Sequence, residues 1–448
     1  MEPFRRHVFV CTQEKPEGVP CCPAGGSWSL LRALERELTA QGLDLEVQVT
    51  TCGCLGLCDD GPILIAYPEG VWYRTVRETD IPEIVASHLR AGRPVTRLVW
   101  EDQPAMNAQA TEHRDRYRAM LKAKDRAGIV PDDLNESIRA FMPSRALLTA
   151  LELNVFSVLA AGASAPDVAR KIQADARATE MLLNVLVSLK LLEKKDGVFS
   201  NTPVSARFLT DVSPDSARPA LLHTANLWRT WSTLTDAVRA GTSVAARARD
   251  EAGVASFIAA MDRNAKERAT SVVKAVASEG IHRMLDLGGG SGAYSIALAR
   301  ALPGLRSDIL DVAQVLPLTR ENIRKAGLAE RISTRAGDML TDPLGENLDL
   351  ILLSAICHMF SPEENRALFQ RVHRALAPTG RLVVQDFILN PEKTAPRFAA
   401  LFSLNMLVGT RAGGSYSEPE YAAWLREAGF STIRRIPQPG PAGLLIAS

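Results

Sequence analysis

The chain has no apolar run approaching the roughly 20 residues that a membrane-spanning helix needs. Its charges also nearly cancel, 52 Lys and Arg against 51 Asp and Glu, for a formal net charge of +1. The first absence excludes a helical membrane protein. The second removes any general electrostatic case for a nucleic-acid or anionic-membrane binder. The opening Met-Glu-Pro-Phe-Arg-Arg leads into only a short apolar stretch before Cys11, so it does not read as a signal peptide. A cytoplasmic protein is expected. Internal repeats and low-complexity tracts are missing, and histidine is scarce, with 7 in 448 residues. At this length one hydrophobic core is not enough, and two to four domains are expected.

Cysteine is unevenly spread. Cys11, Cys21, Cys22, Cys52, Cys54 and Cys58 fall within the first 58 residues, and the seventh, Cys357, lies far away. In a reducing compartment such a cluster points to metal rather than disulfides, and the odd total argues the same way. Zinc sites usually carry Cys-x-x-Cys knuckles, which also mark thioredoxin-type dithiols, and neither is found. The Cys-x3-Cys-x2-Cys pattern of radical enzymes is missing too. Four thiolates gathered from Cys11, Cys22 and Cys54-Leu55-Gly56-Leu57-Cys58 suit an iron–sulfur cluster or a zinc ion.

Three textures follow one another. Residues 1–100 read as a small α/β sandwich: strand His7–Cys11, helix Ser29–Gln41, strand Leu45–Thr50, a cysteine loop, strands Ile63–Tyr67 and Val71–Tyr73 joined by Pro68-Glu69-Gly70, and helix Asp80–Ala91. Residues 101–130 are polar and charged, and read as a helical linker. Residues 131–252 are helical, with apolar residues at helical spacing in Ser144–Leu159, Asp167–Gln173 and Arg177–Leu191. Leu192–Lys195, Asp196-Gly197 and Val198–Ser200 then read as a two-strand wing, which makes a winged-helix unit. Residues 253–448 alternate strands and helices in the manner of βαβ units on a parallel sheet.

In that last region Leu285-Asp286-Leu287-Gly288-Gly289-Gly290-Ser291-Gly292 closes a strand and opens a helix, so backbone N–H groups can approach a ligand closely. Alone the loop is ambiguous, because Gly288-x-Gly290-x-x-Ala293 also satisfies the dinucleotide fingerprint. Asp311, ending the next strand, is placed to accept hydrogen bonds from ribose hydroxyls in either case. The downstream order favours one reading: Gly337-Asp338-Met339 after the third strand, Ile356-Cys357-His358 after the fourth, and two closing strands around Thr432–Ile436 and Gly443–Ala447.

With Phe141-Met142-Pro143-Ser144-Arg145-Ala146 and Phe402-Ser403-Leu404-Asn405-Met406-Leu407, these stretches resemble the small-molecule O-methyltransferases, the class of caffeate, acetylserotonin and polyketide O-methyltransferases. The resemblance covers residues from about 131 to 448. It implies a Rossmann-like class I methyltransferase domain that binds S-adenosylmethionine through Gly288, Gly290, Gly292, Asp311, Asp338, Met339 and Ser354. Methyl transfer from a sulfonium needs alignment, exclusion of water and removal of a proton from the acceptor hydroxyl. Histidine suits the last task, and His358 sits just past a strand's C-terminal end, where open α/β sheets place ligands. The resemblance makes His358 the base. Of the two acids that flank this His in plant-type members, one position corresponds to Asp386, and the other approximately to Ser415, which is no acid. Carbon methylation, or loss of methyl transfer altogether in a redox or regulatory protein, stays open.

The same resemblance makes 131–252 a dimerisation domain of a homodimer, whose helices help close the pocket for a small aromatic or polyketide-like acceptor. Met261, Asn405 and Met406 are candidate pocket residues, together with Trp228, Trp231 and Phe257. DNA binding by the winged helix is disfavoured, because Arg177–Lys190 is apolar around most of its circumference and is expected to be buried. Over 167–195 six Lys and Arg are offset by four Asp and Glu.

His7-Val8-Phe9-Val10-Cys11-Thr12, Cys54–Pro62 and Tyr67-Pro68-Glu69-Gly70-Val71-Trp72-Tyr73 resemble the thioredoxin-like [2Fe-2S] ferredoxins over about residues 5–98. That likeness implies Cys11, Cys22, Cys54 and Cys58 as ligands, with Cys21 able to substitute for Cys22. The expected protein is thus α/β and multidomain: a thioredoxin-like ferredoxin, a winged-helix dimerisation domain and a methyltransferase domain. Methyl transfer moves no net electrons, so the cluster is expected to act in redox chemistry or in docking a redox partner, with a structural role as the alternative.

Overall fold

The computed structural model describes residues 4–15, 19–127, 130, 132–245, 251–277, 280–438 and 441–448. The chain divides into two compact units, Met1–Arg139 and Ala140–Ser448. Among the described residues no helix is long and apolar enough to cross a membrane.

The first unit is built on a four-stranded sheet in the order β2-β1-β3-β4. Its strands are β1 (Arg6–Cys11), β2 (Val47–Cys52), β3 (Leu64–Tyr67) and β4 (Val71–Tyr73). β1 runs parallel to β2 and antiparallel to β3, and β3 pairs antiparallel with β4. Alternation in β1 turns Val8 and Val10 to one face, where they meet Leu30, Leu34 and Leu38 of α1 (Ser27–Ala40). Those leucines recur at a spacing of four, which puts them on one stripe of the helix. The expected terminal helix runs from Ile81 to Arg90, with widened, π-type turns from Ile84. The expected linker forms a single helix, α2 (Gln103–Arg126). Its first turns do not stand free. Met106 and Ala110 pack into a small apolar cluster with Cys11, Cys22, Leu57, Ile63, Ile65 and Trp100, inside the same compact unit as the sheet.

The second unit opens with helices α3 (Phe141–Glu152), α4 (Ala165–Ile172) and α5 (Ala176–Ser188) and a three-stranded sheet β5-β7-β6. Its strands are β5 (Ala163–Ser164), β6 (Leu192–Lys195) and β7 (Val198–Asn201), with Asp196 and Gly197 at the tight turn, both with positive φ. This is the expected helix, turn, helix and wing. The helix expected over Ser144–Leu159 is broken, because Asn154 takes a left-handed conformation (φ 56°) and stops α3 at Glu152. α5 is not buried all round, as its composition suggests. Leu183 and Leu186 are buried, but Met181 and Val185 are exposed, so this face of the chain is apolar rather than basic.

Helices α6 (Arg218–Trp231) and α7 (Glu251–Val276) lead to the large sheet, ordered β10-β9-β8-β11-β12-β14-β13. The strands are β8 (Arg283–Leu287), β9 (Arg306–Asp311), β10 (Ile332–Ala336), β11 (Leu348–Ser354), β12 (Leu376–Asp386), β13 (Ile433–Ile436) and β14 (Gly443–Ala447). The first five are parallel, and β14 pairs antiparallel with both β12 and β13. β12 begins earlier than expected, with Pro378-Thr379-Gly380 inside it rather than before it. The irregularity shows as a register shift at Leu348/Leu350. The intervening helices are α8 (Ala293–Ala301), α9 (Leu316–Lys325), α10 (Pro362–Ala375), α11 (Arg397–Gly409) and α12 (Glu418–Ala428). The strand order reverses between β8 and β11, which opens a crevice at their C-terminal ends.

Candidate functional site

The glycine loop leaves β8 at that crevice. Gly288, Gly290 and Gly292 all have positive φ (68°, 57° and 78°), where a side chain is disfavoured. A Cβ on Gly288 would also run into Ile356 and stand 3.3 Å from Met339 Cε. The loop therefore lies against the residues that follow β10 and β11, and the missing side chains form a cradle. Asp311 closes it from β9, accepting Gly290 N–H at 2.8 Å and Val312 N–H at 2.7 Å. Burial raises the Asp311 carboxyl, and those two backbone donors hold it back.

Asp338 is exposed beyond β10 and accepts Leu340 N–H at 2.8 Å, while Met339 is half-buried. Ser354 ends β11 with its hydroxyl turned inward, donating to Gln385 Oε1 at 2.7 Å. The same oxygen receives Tyr294 Oη–H at 2.6 Å, and Gln385 Nε2 is buried without a partner. Neither Tyr294 nor Gln385 stood out in sequence. A lone polar residue in the apolar run Leu382-Val383-Val384-Gln385 was the available signal.

Beneath the loop, Asp286 is fully buried. It accepts Ser295 Oγ–H at 2.7 Å on one oxygen and leaves Oδ1 without a partner. Burial pushes its carboxyl up to about 7; the Ser295 hydrogen bond opposes the rise and nearby Asp311 adds to it. It lies in the motif that singled out its glycines, and only burial sets it apart.

His358 sits on the short turn Cys357–Met359 after β11 and is 6% exposed. Several groups pin this turn. Asn365 Nδ2 donates to Cys357 O at 2.9 Å, Gly414 N–H donates to His358 O at 2.9 Å, and Tyr416 Oη–H donates to Phe360 O. Ser361 and Glu364 form a capping box that starts α10 immediately afterwards. Gly413 has no room for a side chain, since a Cβ there would strike His358 O.

His358 Nδ1 lies 2.6 Å from Asp386 Oδ1. Asp386, 2% exposed, also accepts Phe387 N–H at 2.8 Å, His358 N–H at 3.1 Å and Tyr421 Oη–H at 3.3 Å. A carboxylate with four donors is fixed in place, and it selects the tautomer with the proton on Nδ1. Nε2 is left with its lone pair. Phe402 meets the imidazole edge to face at 4.8 Å and packs on Phe387 at 4.2 Å. Arg268 of α7 lies over the Phe387 ring at 5.4 Å. The position matched to a second acid holds Ser415, whose hydroxyl is buried and unpartnered. One carboxylate serves this histidine.

Of the candidate pocket residues, Asn405 of α11 accepts Trp231 Nε1–H at 2.8 Å, which ties α11 to α6. Met406 is buried and Met261 of α7 half-buried. Phe257 meets His223 edge to face at 5.3 Å, and Trp228 lies near Phe141 and Arg145.

In the first unit five thiols gather as a pair and a trio. Cys54 Sγ and Cys58 Sγ are 3.5 Å apart. The Cys11 thiol is influenced by those of Cys22 and of Cys52, the latter its neighbour across the β1–β2 ladder. Within these groups Cys11 and Cys54 are held well below the ordinary thiol range, chiefly by Cys22 and Cys58 respectively. Cys22 and Cys58 are pushed up by the same interactions. Lys15 Nζ donates to Cys58 Sγ at 3.0 Å. Cys22 is buried and Cys21 only half-buried; a Cβ on Gly61 would come within 2.8 Å of Cys22 Sγ. Among the described residues no group of three or more His, Cys, Asp or Glu side chains is placed to hold a metal ion.

Comparison with known proteins covers the second unit. Residues 231–431 match the O-methyltransferase domain, and residues 135–211 match the O-methyltransferase dimerisation domain, which supports a homodimer. The chain is 34% identical to 3-hydroxy-5-methyl-1-naphthoate 3-O-methyltransferase of Streptomyces sahachiroi, over 70% of this chain and 94% of that one. It is 30% identical to the tetracenomycin polyketide synthesis 8-O-methyl transferase of Streptomyces glaucescens, over 70% and 96%. Human N-acetylserotonin methyltransferase, solved in complex with S-adenosylmethionine, superposes with a TM-score of 0.62 at 30% identity, over 70% and 96%. The chain belongs to the O-methyltransferase family and is an S-adenosylmethionine-dependent enzyme of that class.

Proposed function

We propose that the enzyme methylates a hydroxyl of a small aromatic or polyketide-like acceptor, with His358 as the base and Asp386 as its orienting acid. The observation that carries this reading is the 2.6 Å His358–Asp386 pair in an aromatic shell at the end of β11, next to the glycine cradle. S-adenosylmethionine supplies an activated methyl group on a sulfonium. The cradle suits that cofactor: Gly288, Gly290 and Gly292 leave room for close approach of a ligand, and we assign Asp311 to its ribose hydroxyls and Asp338 with Met339 to its adenine. Ser354 completes the set. Met261, Asn405 and Met406 are assigned to the acceptor.

The residues act as follows. Asp386 holds the proton on His358 Nδ1, so Nε2 accepts the proton of the acceptor hydroxyl as the methyl bond forms. The carboxylate then stabilises the imidazolium without itself taking a proton. Phe387 and Phe402 keep water from the pair, which strengthens that interaction. Names of similar proteins support the acceptor class, since they act on a naphthoate, a polyketide and an acetylserotonin. The test is transfer of labelled methyl to a panel of phenols and hydroxynaphthoates. Turnover of one or more is expected, and tight binding of NAD with none of S-adenosylmethionine would sink the assignment. Exposed Phe141 and Met142 of α3 fit the homodimer reading.

The first unit is assigned as a thioredoxin-like [2Fe-2S] domain with Cys11, Cys22, Cys54 and Cys58 as ligands. A mononuclear zinc site needs three or four ligands around one point. A two-iron cluster needs two pairs of thiolates, one for each iron; Cys54 with Cys58 and Cys11 with Cys22 are assigned to it, and Cys52 stands beside Cys11 as a further thiol. The burial of Cys22 and its interaction with Cys11 favour it over Cys21. The mixed sheet with α1 on one face supports the thioredoxin-like reading. When bound, such a cluster supplies one-electron redox chemistry, which methyl transfer does not consume; a redox or partner-docking role is the assignment. Absorption and iron analysis of anaerobically purified protein test it, with colourless, zinc-loaded protein as the contrary result.

A further inference from the structure

The helix α2 was expected to be a spacer, yet its first three turns lie on the loop that carries Cys54 and Cys58. Gly56, midway between those cysteines, is buried with φ +81°, and a Cβ added to it would stand 3.1 Å from Ala110 Cα. The two backbones approach this closely because one residue has no side chain and the other only a methyl. On either side of Ala110 the helix grips the two acids that follow Cys58. Gln109 Nε2 donates to Asp60 Oδ2 at 2.7 Å, and His113 Nε2 lies 3.0 Å from Asp59 Oδ2. His113 is 6% exposed, although the residues on both sides of it are exposed. Met106, one turn earlier, packs with Leu57, Cys11 and Cys22.

Beyond His113 the helix changes character. Arg114 to Ala119 are all exposed, with Tyr117 46% exposed. A helix this polar takes its stability from what it docks on rather than from its own periodicity. Its docking face is the loop that carries Cys54 and Cys58, so the helix and any group held by those thiolates act on the same few residues. Linkage makes an effect of either one on the other reciprocal, by the same factor.

We propose that α2 is a latch on the cysteine site: Ala110, Gln109 and His113 close it over the Cys54–Asp60 loop while the thiolates hold their cluster, and it is released when they lose it. The proposal rests on the [2Fe-2S] reading of the four thiols. It turns the segment that leads to the methyltransferase unit into a reporter of cluster state. It also means that a redox partner cannot approach through Gly56 and Leu57, which α2 covers, and is left the exposed rim at Thr51, Gly53 and Cys54.

Hydrogen exchange on the full-length protein tests the latch. Amides of 103–113 are expected to exchange about tenfold faster after anaerobic removal of iron by a chelator, with the 283–311 segment of the methyltransferase unit unchanged. Ala110→Leu keeps a good helix former but collides with Gly56. It is expected to speed exchange in 103–113 with iron still bound and to lose iron to the chelator about tenfold faster than wild type. Binding of S-adenosylhomocysteine checks that the variant's second unit is intact. Iron-loaded wild type whose 103–113 segment exchanges identically with and without iron overturns the latch alone. Wild type that never carries iron overturns the cluster reading and the latch with it.

Discussion

The two units solve opposite problems of positioning. In the methyltransferase unit a single histidine is held by one buried acid, and both stand at the ends of parallel strands whose register is set by a large core. In the first unit six cysteines crowd one end of a small sheet, and their arrangement is decided by loops and by a helix from outside the expected sandwich. Strand ends are stiff, so their chemistry follows from the order of elements. Loops take their shape from whatever covers them, so their chemistry follows from the neighbours. The comparison predicts that damage at either site stays local.

The largest contrast is expected between adjacent cysteines. Cys22→Ser should lose its iron altogether while Cys21→Ser keeps the full complement, and neither should alter S-adenosylmethionine binding; iron analysis and calorimetry on the same preparations check this. Equal iron in both variants would remove the reason for preferring Cys22. Next, His358→Ala should lower kcat by about 10³-fold with the first unit's spectrum unchanged. Asp386→Asn should cost about 10²-fold, because the amide no longer fixes the Nδ1–H tautomer. Full turnover of His358→Ala would move the base elsewhere, and full turnover of Asp386→Asn would remove the orienting role of that acid.

Asp311→Ala should weaken S-adenosylmethionine binding by about tenfold to a hundredfold through the lost charged hydrogen-bond acceptor, leaving kcat at saturation close to wild type. The smallest effect concerns stability. Burial pushes the Asp286 carboxyl up to about 7, whereas an aspartate freely in water titrates near 3.8. An acid raised in the folded state leaves stability intact below the unfolded pKa and costs stability progressively as pH rises from about 4 to about 7. Asp286→Asn removes that slope, so its stability relative to wild type should climb by about 2–4 kcal/mol across the interval. Urea denaturation at several pH values reads it, and parallel curves for the two proteins would refute the buried-acid account.

How much was legible in the sequence differs between the units for the same physical reason. The parallel strands, the glycine loop and the acid at the end of the second strand, Asp311, were readable, because strand period and loop glycines are local signals; His358 was singled out by its strand-end position but given a role only through resemblance. Asp386 was readable only through resemblance, since nothing local links it to a residue 28 positions earlier. Tyr421, Gln385 and Tyr294 were not readable, because a hydrogen-bonding role for a buried polar residue exists only once its partners arrive. Asn154 ended a helix that periodicity continued, and α5 kept Met181 and Val185 exposed despite its composition. In the first unit the pairing of cysteines and the reach of α2 had no signal beyond small Ala110 facing Gly56.

By itself, then, the sequence determined an α/β half with a glycine loop, which its family resemblance marked as a methyltransferase, and a cysteine-rich α/β unit ahead of it. The strands, helices and loop are written in periodicities and in residues within a few positions of each other. Tertiary structure decided which oxygen steadies His358, which of two adjacent cysteines faces Cys11, and that a polar helix closes over Gly56. Each of these is a contact between segments far apart in the chain, and only packing chooses among the many that composition allows.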